Sequence, residues 1–194
     1  MVAAGSGDRF GGPKQLAPLG TARVVDEAVR VAVSMSAGVV VVVGPEHLDD
    51  VAASLTTYWP GAVIVVAGGA SRSASVRAGL DAAPEDASVV LIHDAARPLA
   101  SPALYERVIA AVEAGADAVV PGVPLADTIR RVDGGVIDRA SLHAVQTPQG
   151  FPAAVIRAAH AAGADASDDA TLVEQRGGKV VVVEGEPENF KITV

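Results

Sequence analysis

Short apolar runs alternate along the chain with segments in which apolar residues recur every three or four positions. The runs are rich in valine, as is typical of strands covered on both faces. They lie at residues 39–43, 62–66, 89–92, 118–120 and 180–183. Strands that alternate with helices predict an α/β fold with a mostly parallel sheet.

The intervals between these runs carry helical patterns. One apolar stripe starts at Val25 and another at Val76. Ser101 followed by proline is typical of an N-cap and a first helical position, and predicts a helix from there to about Glu113. A glycine pair at 177–178 predicts the end of a helix around residues 172–175.

One stretch departs from this alternation. Residues 128–132 and 136–139 read as short strands on either side of Asp133-Gly134-Gly135, which is a hairpin signal. Charged residues are as frequent there as apolar ones, and a lone hairpin is marginally stable in water. We interpret residues 127–147 as a projecting arm that pairs with a second copy of the chain; a solvated surface hairpin is the alternative.

Composition narrows the class of protein. The 194 residues fit one domain, and 50% of them are hydrophobic, enough for a core. The net charge of -8 and the 3% aromatic content argue against a nucleic-acid partner. Cysteine is absent, which excludes disulfides and a cysteine nucleophile. No apolar run reaches the roughly 18 residues of a membrane span, and the N-terminus lacks a signal-peptide pattern. A cytoplasmic protein without a membrane partner is expected.

A glycine loop opens the chain. Gly5 and Gly7 allow a sharp turn whose amide groups can approach a phosphate, and Arg9 and Lys14 add positive charge beside it. The pattern is not a Walker loop, and Phe10 occupies the position of the third glycine of a dinucleotide-binding loop. By itself the glycine pair is equally compatible with a plain turn.

Polar residues follow the predicted strand at 89–92. Because ligands bind beyond the carboxyl ends of parallel strands, Asp94 is placed to hold a hard cation such as Mg²⁺. Capping of the next turn is the alternative, and His93 is interpreted as a structural partner. Arg72 lies near the start of a helix, where a cation opposes the helix dipole, so an anionic partner is expected for it. Asp168 and Asp169 are interpreted as a helix start.

Taken together, these motifs resemble one family of enzymes. The whole chain is similar, in collinear order, to the 2-C-methyl-D-erythritol 4-phosphate cytidylyltransferases. The motifs that carry the resemblance are Ala3-Ala4-Gly5-x-Gly7-x-Arg9 with Pro13-Lys14-Gln15, Gly68-Gly69 with Arg72 and Ser75, His93-Asp94-Ala95-Ala96-Arg97-Pro98, Asp127-Thr128, Arg139 with residues 142–151, and Asn189-Phe190-Lys191-Ile192-Thr193.

The resemblance implies a fold and an activity. The fold is a Rossmann-like, mostly parallel sheet covered by helices, in a single nucleotidyltransferase domain (1–194) with a β-hairpin dimerisation arm. The implied activity is transfer of a cytidylyl group from CTP to 2-C-methyl-D-erythritol 4-phosphate, with Mg²⁺ and release of pyrophosphate, in non-mevalonate isoprenoid precursor biosynthesis. The protein is expected to be a homodimer joined by the arm.

The resemblance also implies three groups of site residues. The catalytic group is Arg9, Lys14 and Lys191. The group that binds the cytidine nucleotide is Ala3, Ala4, Gly5, Gly69, Arg72 and Ser75. The polyol phosphate pocket is Asp94, which is also the expected metal ligand, with Arg97, Thr128, Arg139 and Thr147. Thr128 and Arg139 lie on the predicted arm, so they are expected to serve the partner's site.

Three alternatives stay open. A ribitol 5-phosphate cytidylyltransferase would share the fold and chemistry. A nucleotide-binding regulatory subunit would bind without turnover, and a dinucleotide oxidoreductase is disfavoured by the missing third glycine. The chain also departs from the family at both ends, with only Met1 and Val2 before the glycine loop and no helix after Val194. We therefore expect the sequence to be trimmed at its ends.

Overall fold

A computed structural model describes residues 1–5, 7, 11–161, 163, 165–166 and 168–193. Its strands are β1 (Val2–Ala3), β2 (Pro18–Leu19), β3 (Ala22–Arg23), β4 (Val39–Val43), β5 (Val63–Ala67), β6 (Val89–Ile92), β7 (Ala118–Pro124), β8 (Ile129–Arg130), β9 (Val136–Ile137), β10 (His143–Val145), β11 (Gln149–Pro152) and β12 (Val180–Glu184). Its α-helices are α1 (Val24–Met35), α2 (Leu48–Tyr58), α3 (Arg72–Ala82), α4 (Pro102–Glu113), α5 (Ala153–Ala161) and α6 (Asp169–Glu174).

The main sheet has two parts that meet at β1. In the first part, β1, β4 and β5 run parallel to one another. In the second, the order is β10-β7-β11-β6, and β12 pairs with β7 in parallel. The Val2 amide donates to the His93 carbonyl at 2.8 Å, and the Ala95 amide donates to the Val2 carbonyl at 3.0 Å. The two-residue strand β1 thus joins both parts directly below the glycine loop.

The α/β class predicted from the sequence is confirmed, with one addition. Each predicted apolar run forms a strand, with shifts of one to a few residues at the ends of three of them. The strand β11 pairs antiparallel with β6 and β7, so the sheet is mixed. Its sequence, Gln-Gly-Phe-Pro, has no apolar run that could have predicted it.

Two helices, α4 and α6, agree with the capping signals of the sequence. Ser101 caps α4, its hydroxyl accepting from the Leu104 amide, and the helix ends at Glu113. Asp168 caps α6 by accepting from the Thr171 amide at 2.9 Å, which confirms the interpretation of Asp168 and Asp169 as a helix start. Within the described residues, none of the helices has the length and apolar character needed to cross a membrane.

The core is built mainly from the valine-rich strands and the helices over them. One buried cluster packs α1, α2 and α4 against β4, and a second packs α5 and α6 against β7 and β11. Trp59, the only tryptophan of the chain, follows α2 and packs against the first cluster. The centroid of its ring lies 5.9 Å from that of the exposed Tyr58.

The predicted hairpin is present but shorter than expected. Its strands β8 and β9 have two residues each, joined through Gly134 and Gly135 at φ values of 113° and 81°. The second strand ends early because the Asp138 carboxylate accepts from the Ala140 amide at 3.0 Å and starts a 3₁₀ turn, Arg139–Ser141. Arg139 therefore lies in a turn and not in the predicted strand. Val132, at the tip, is fully exposed.

Candidate active site

A cavity of about 410 Å³ opens beside β1, between the glycine loop and the turn that precedes α3. Nine of the residues implied by the resemblance line it: Ala3, Ala4, Gly5, Lys14, Gly69, Arg72, Ser75, Asp94 and Lys191. They come from both parts of the sheet and both ends of the chain. The fold therefore assembles most of the implied site in one place.

The glycine loop is held by a buried glutamine. The Gln15 side-chain amide donates to the Ala3 carbonyl at 2.6 Å and to the Gly5 carbonyl at 2.9 Å. Gly7 has a φ of 70°, which favours glycine. Two backbone carbonyls of the cavity wall are thereby held by the residue next to Lys14. Arg9 lies outside the described residues.

The opposite wall is the turn between β5 and α3. The Gly69 amide donates to the Ser75 hydroxyl at 3.2 Å, and that hydroxyl donates to the Ser71 carbonyl at 3.0 Å. Ser71 caps α3 by accepting from the Ala74 amide at 3.1 Å. Gly68 allows close contact, since a Cβ there would lie 2.6 Å from the Ala4 methyl group. The turn and the glycine loop are therefore packed against each other.

Asp94 is the carboxylate at the centre of the cavity. The Lys191 ammonium lies 2.6 Å from one of its oxygens, and the Arg72 guanidinium lies 3.5 Å from the other. Burial would raise the pKa of the Asp94 carboxyl, but Lys191 and Arg72 more than offset it and hold that pKa below its ordinary value. The cavity thus contains an ionised carboxylate between two cations.

Comparison with known proteins identifies the family. The family model for 2-C-methyl-D-erythritol 4-phosphate cytidylyltransferase (IspD) matches residues 1–194. The chain belongs to this family.

Relatives and solved structures agree with that assignment. The cytidylyltransferase of Nocardia farcinica is 47% identical over 203 residues, covering 100% of this chain and 86% of the relative. That of Rhodococcus opacus is 48% identical over 202 residues, covering 100% of this chain and 88% of the relative. The crystal structure of the enzyme from Thermus thermophilus has a TM-score of 0.82 and 34% identity, with coverage of 100% of this chain and 91% of that one.

The family motif His-Asp-Ala-Ala-Arg-Pro is organised by its histidine. His93 Nε2 lies 3.0 Å from the Arg97 carbonyl, which can only accept, so Nε2 carries the proton and Nδ1 is an acceptor. The Thr147 hydroxyl, 2.9 Å from Nδ1, therefore donates to it and accepts from the Asp94 amide at 3.0 Å. Burial lowers the pKa of His93 to about 4, so the ring is neutral. The structural interpretation of His93 is confirmed.

Four of the implied substrate residues of this cytidylyltransferase do not line the cavity. The Arg97 guanidinium donates to the carbonyls of Asn189 at 2.7 Å and Val145 at 3.3 Å. Thr147 is buried and bonded to His93. Thr128 and Arg139 lie on the exposed arm, where Arg139 donates to the carbonyl of Ala126. The cavity is large enough for a nucleotide, and the arm residues Thr128 and Arg139 do not contribute to it.

A metal ion fits Asp94 poorly. Divalent cations such as Mg²⁺ bind several oxygen ligands, whereas both oxygens of this single carboxylate face cations. Among the residues that the structure describes, no group of three acidic or histidine side chains is placed to hold a metal. The expectation that Asp94 is a metal ligand has no support in this geometry.

Sequence reasoning gave no role to two groups of residues at the site. Gln15 follows Lys14 in the family motif, and this position was its only signal. Asp169 contacts Arg72 across the fold, with 2.8 Å between Oδ2 and Nη1, and His160 contacts Asp169. The first of these pairings joins segments nearly a hundred residues apart, so no local pattern could have revealed it.

Proposed function

We propose that the chain transfers a cytidylyl group from CTP to 2-C-methyl-D-erythritol 4-phosphate, giving 4-diphosphocytidyl-2-C-methyl-D-erythritol and pyrophosphate in the non-mevalonate pathway. The observation that carries this proposal is the meeting of Lys14 and Lys191 in one cavity with the glycine loop. The chain has only three lysines, and two of them line this cavity. Such a site suits a polyanion.

The chemistry requires positioning and charge neutralisation. A phosphate oxygen of the substrate attacks the α-phosphorus of CTP, a new P–O bond forms, and the bond to pyrophosphate breaks. The nucleophile arrives ionised, so no general base is needed. Lys14 and Arg9 are proposed to brace the triphosphate, and Lys191 to approach the α-phosphate, where negative charge develops.

Cytidine recognition is proposed for the two walls of the cavity. The backbone of Ala3, Ala4 and Gly5 on one side and the turn with Gly69 and Ser75 on the other leave a space suited to a pyrimidine. A purine would clash or leave polar groups unpaired. Magnesium is proposed to accompany CTP and not to bind Asp94, because both oxygens of that carboxylate already face the cationic groups of Arg72 and Lys191.

A homodimer with shared sites is proposed from the arm. Thr128 and Arg139 are exposed and do not line the cavity of their own chain. An arm exchanged across a two-fold axis would bring them to the partner's substrate phosphate, beside Asp94, the member of the implied polyol phosphate pocket that lines the cavity. The cytoplasmic location and the single domain (1–194) stay predictions.

The test is pyrophosphate release measured with CTP or ATP and with methylerythritol phosphate or ribitol 5-phosphate. Turnover should require CTP and methylerythritol phosphate. Lys14→Ala and Lys191→Ala should each lower kcat by about 100-fold, since electrostatic groups at a developing charge contribute on this order. The matched control is Lys179→Ala, which removes the exposed third lysine. Equal rates with ribitol phosphate, or binding of CTP without turnover, would contradict the proposal.

A further inference from the structure

A buried histidine and aspartate lie behind the cavity. His160 lies in the last turn of α5 and Asp169 begins α6; the two side chains are 2% and 1% exposed, respectively. His160 Nε2 lies 3.0 Å from Asp169 Oδ1. The Asp169 oxygen accepts this hydrogen bond and Nε2 donates it. Neither residue lines the cavity.

The other oxygen of Asp169 points to the cavity wall. Asp169 Oδ2 lies 2.8 Å from Nη1 of Arg72, and Nη2 of Arg72 lies 3.5 Å from Asp94. Asp94 in turn is 2.6 Å from the Lys191 ammonium. The contacts form one chain that runs from His160 through Asp169, Arg72 and Asp94 to Lys191.

The position of Arg72 in this chain of contacts depends on the two carboxylates. Arg72 is the first residue of α3, where the helix dipole disfavours a cation, so its position depends on carboxylates. Burial would lower the pKa of Arg72, but Asp169 and Asp94 together hold it above its ordinary value. Without Asp169, Arg72 would have Asp94 as its remaining anion in this contact chain and would compete there with Lys191.

We propose that Asp169 and His160 are positioning residues, which hold Arg72 so that Asp94 keeps the Lys191 ammonium directed into the cavity. His160 orients the Asp169 carboxylate, and Asp169 pairs with Nη1 of Arg72. Oδ2 of Asp94 is thereby left to Lys191. Arg72, which also lines the cavity, thereby acts on Lys191 through Asp94. The inference rests on the proposed function of Lys191 at the α-phosphate.

Three variants test the contact chain. Asp169→Asn removes the charge at constant shape. His160→Leu removes the donor, whereas His160→Gln keeps an amide nitrogen near the position of Nε2. Asp169→Asn and His160→Leu should lower kcat roughly 10-fold, with KM for CTP changed about two-fold or less, because a displaced catalytic group acts in the transition state. His160→Gln should retain most of the wild-type kcat.

The control separates positioning from stability. Asp26 lies in an ion pair with Arg23 at the start of α1, away from the residues that line the cavity, with 2.9 Å between the charged groups. Asp26→Asn should lower the unfolding midpoint and leave kcat unchanged. A second readout does not need activity: acylation of Lys191 relative to Lys179, followed by mass spectrometry, should be faster in Asp169→Asn and His160→Leu than in the wild type.

The kinetic and acylation results together decide whether Asp169 and His160 are positioning residues. Unchanged kcat and unchanged acylation ratio in Asp169→Asn would overturn the proposal, as would equal impairment by glutamine and leucine at position 160. If the wild type released no pyrophosphate, the proposed function would fail, whereas the acylation ratio would still decide whether Asp169 and His160 restrain Lys191.

Discussion

At the scale of single residues, the Gln15 amide holds the start of the glycine loop, since it donates to the carbonyls of Ala3 and Gly5. In Gln15→Glu a carboxylate would face both carbonyls without a proton to donate, which is costly for buried polar groups. We expect KM for CTP to rise roughly 10-fold, measured by steady-state kinetics and by calorimetric binding of CTP.

The control for this prediction is Gln175→Glu, the same change at an exposed residue after α6. It should leave CTP binding unaltered. Normal CTP affinity in folded Gln15→Glu would show that the loop keeps its shape without this glutamine.

His93 makes stability depend on pH. Its folded pKa of about 4 lies below the ordinary 6.5, so the unfolded chain takes up a proton between these values and the folded chain does not. Stability should therefore fall by about 3 kcal/mol as the pH drops from about 6.5 to about 4. Urea denaturation across this range measures the effect. His93→Gln, whose amide can still donate to the Arg97 carbonyl, should show a smaller decrease.

The two carboxyl groups with lowered pKa values affect stability mainly at a lower pH than His93 does. The pKa values of Asp94 and Glu186 are lowered from 3.8 and 4.5, so the stability that these groups contribute is lost as the pH falls from those values downward, mostly below the range in which His93 acts. A stability curve for His93→Gln that matched the wild type between pH values of about 6.5 and about 4 would contradict the prediction.

Residue types were easier to predict than their contacts. Family motifs and charge were enough to mark Lys14, Asp94 and Lys191, and the cavity brings them together. Asp94 was expected to hold a metal because the sequence places it at a strand end. The fold instead puts two cations against it, one of them Lys191, 97 residues away.

At the scale of elements, the turn between β5 and α3 depends on Gly68. A Cβ there would lie 2.6 Å from the Ala4 methyl group and 2.8 Å from the Ser75 hydroxyl. Gly68→Ala should displace the loop that carries Ala4 and raise KM for CTP by about 10-fold or more, because small misplacements at a site are costly. Gly38→Ala, where the nearest atom is 3.7 Å away, is the matched control.

A structure of Gly68→Ala with CTP would show whether the two walls have moved apart. Kinetics equal to those of Gly38→Ala would mean that the turn absorbs the added methyl group.

The bounds of helices and strands could be predicted from the sequence where burial or capping leaves a local pattern. The run 39–43 and the helix after Ser101 were predicted with their observed bounds, because burial on both faces and capping leave local traces. The strand β11 was not predicted, because its pairing with β6 and β7 depends on neighbours from distant parts of the chain. The arm strands were predicted too long, since the Asp138 turn ends β9.

At the scale of the whole molecule, the shared-site proposal can be tested by mixing inactive variants. Arg139→Ala and Lys14→Ala should each be inactive as pure dimers. After subunit exchange, one site in each mixed dimer would carry both native residues, so about a quarter of the wild-type activity should return. The readout is pyrophosphate release, with exchange checked by native mass spectrometry.

A mixture that stays inactive after demonstrated exchange would place Lys14 and Arg139 in the same chain's site. A protein that is monomeric at the assay concentration would exclude the arm exchange altogether.

The position of Trp59 gives the protein an internal optical probe. It is the only tryptophan, it packs against the core cluster of α1, α2 and β4, and it does not line the cavity. Its fluorescence therefore reports on the packing of this cluster, with little direct interference from a nucleotide. Unfolding can then be followed without a label while CTP occupies the cavity.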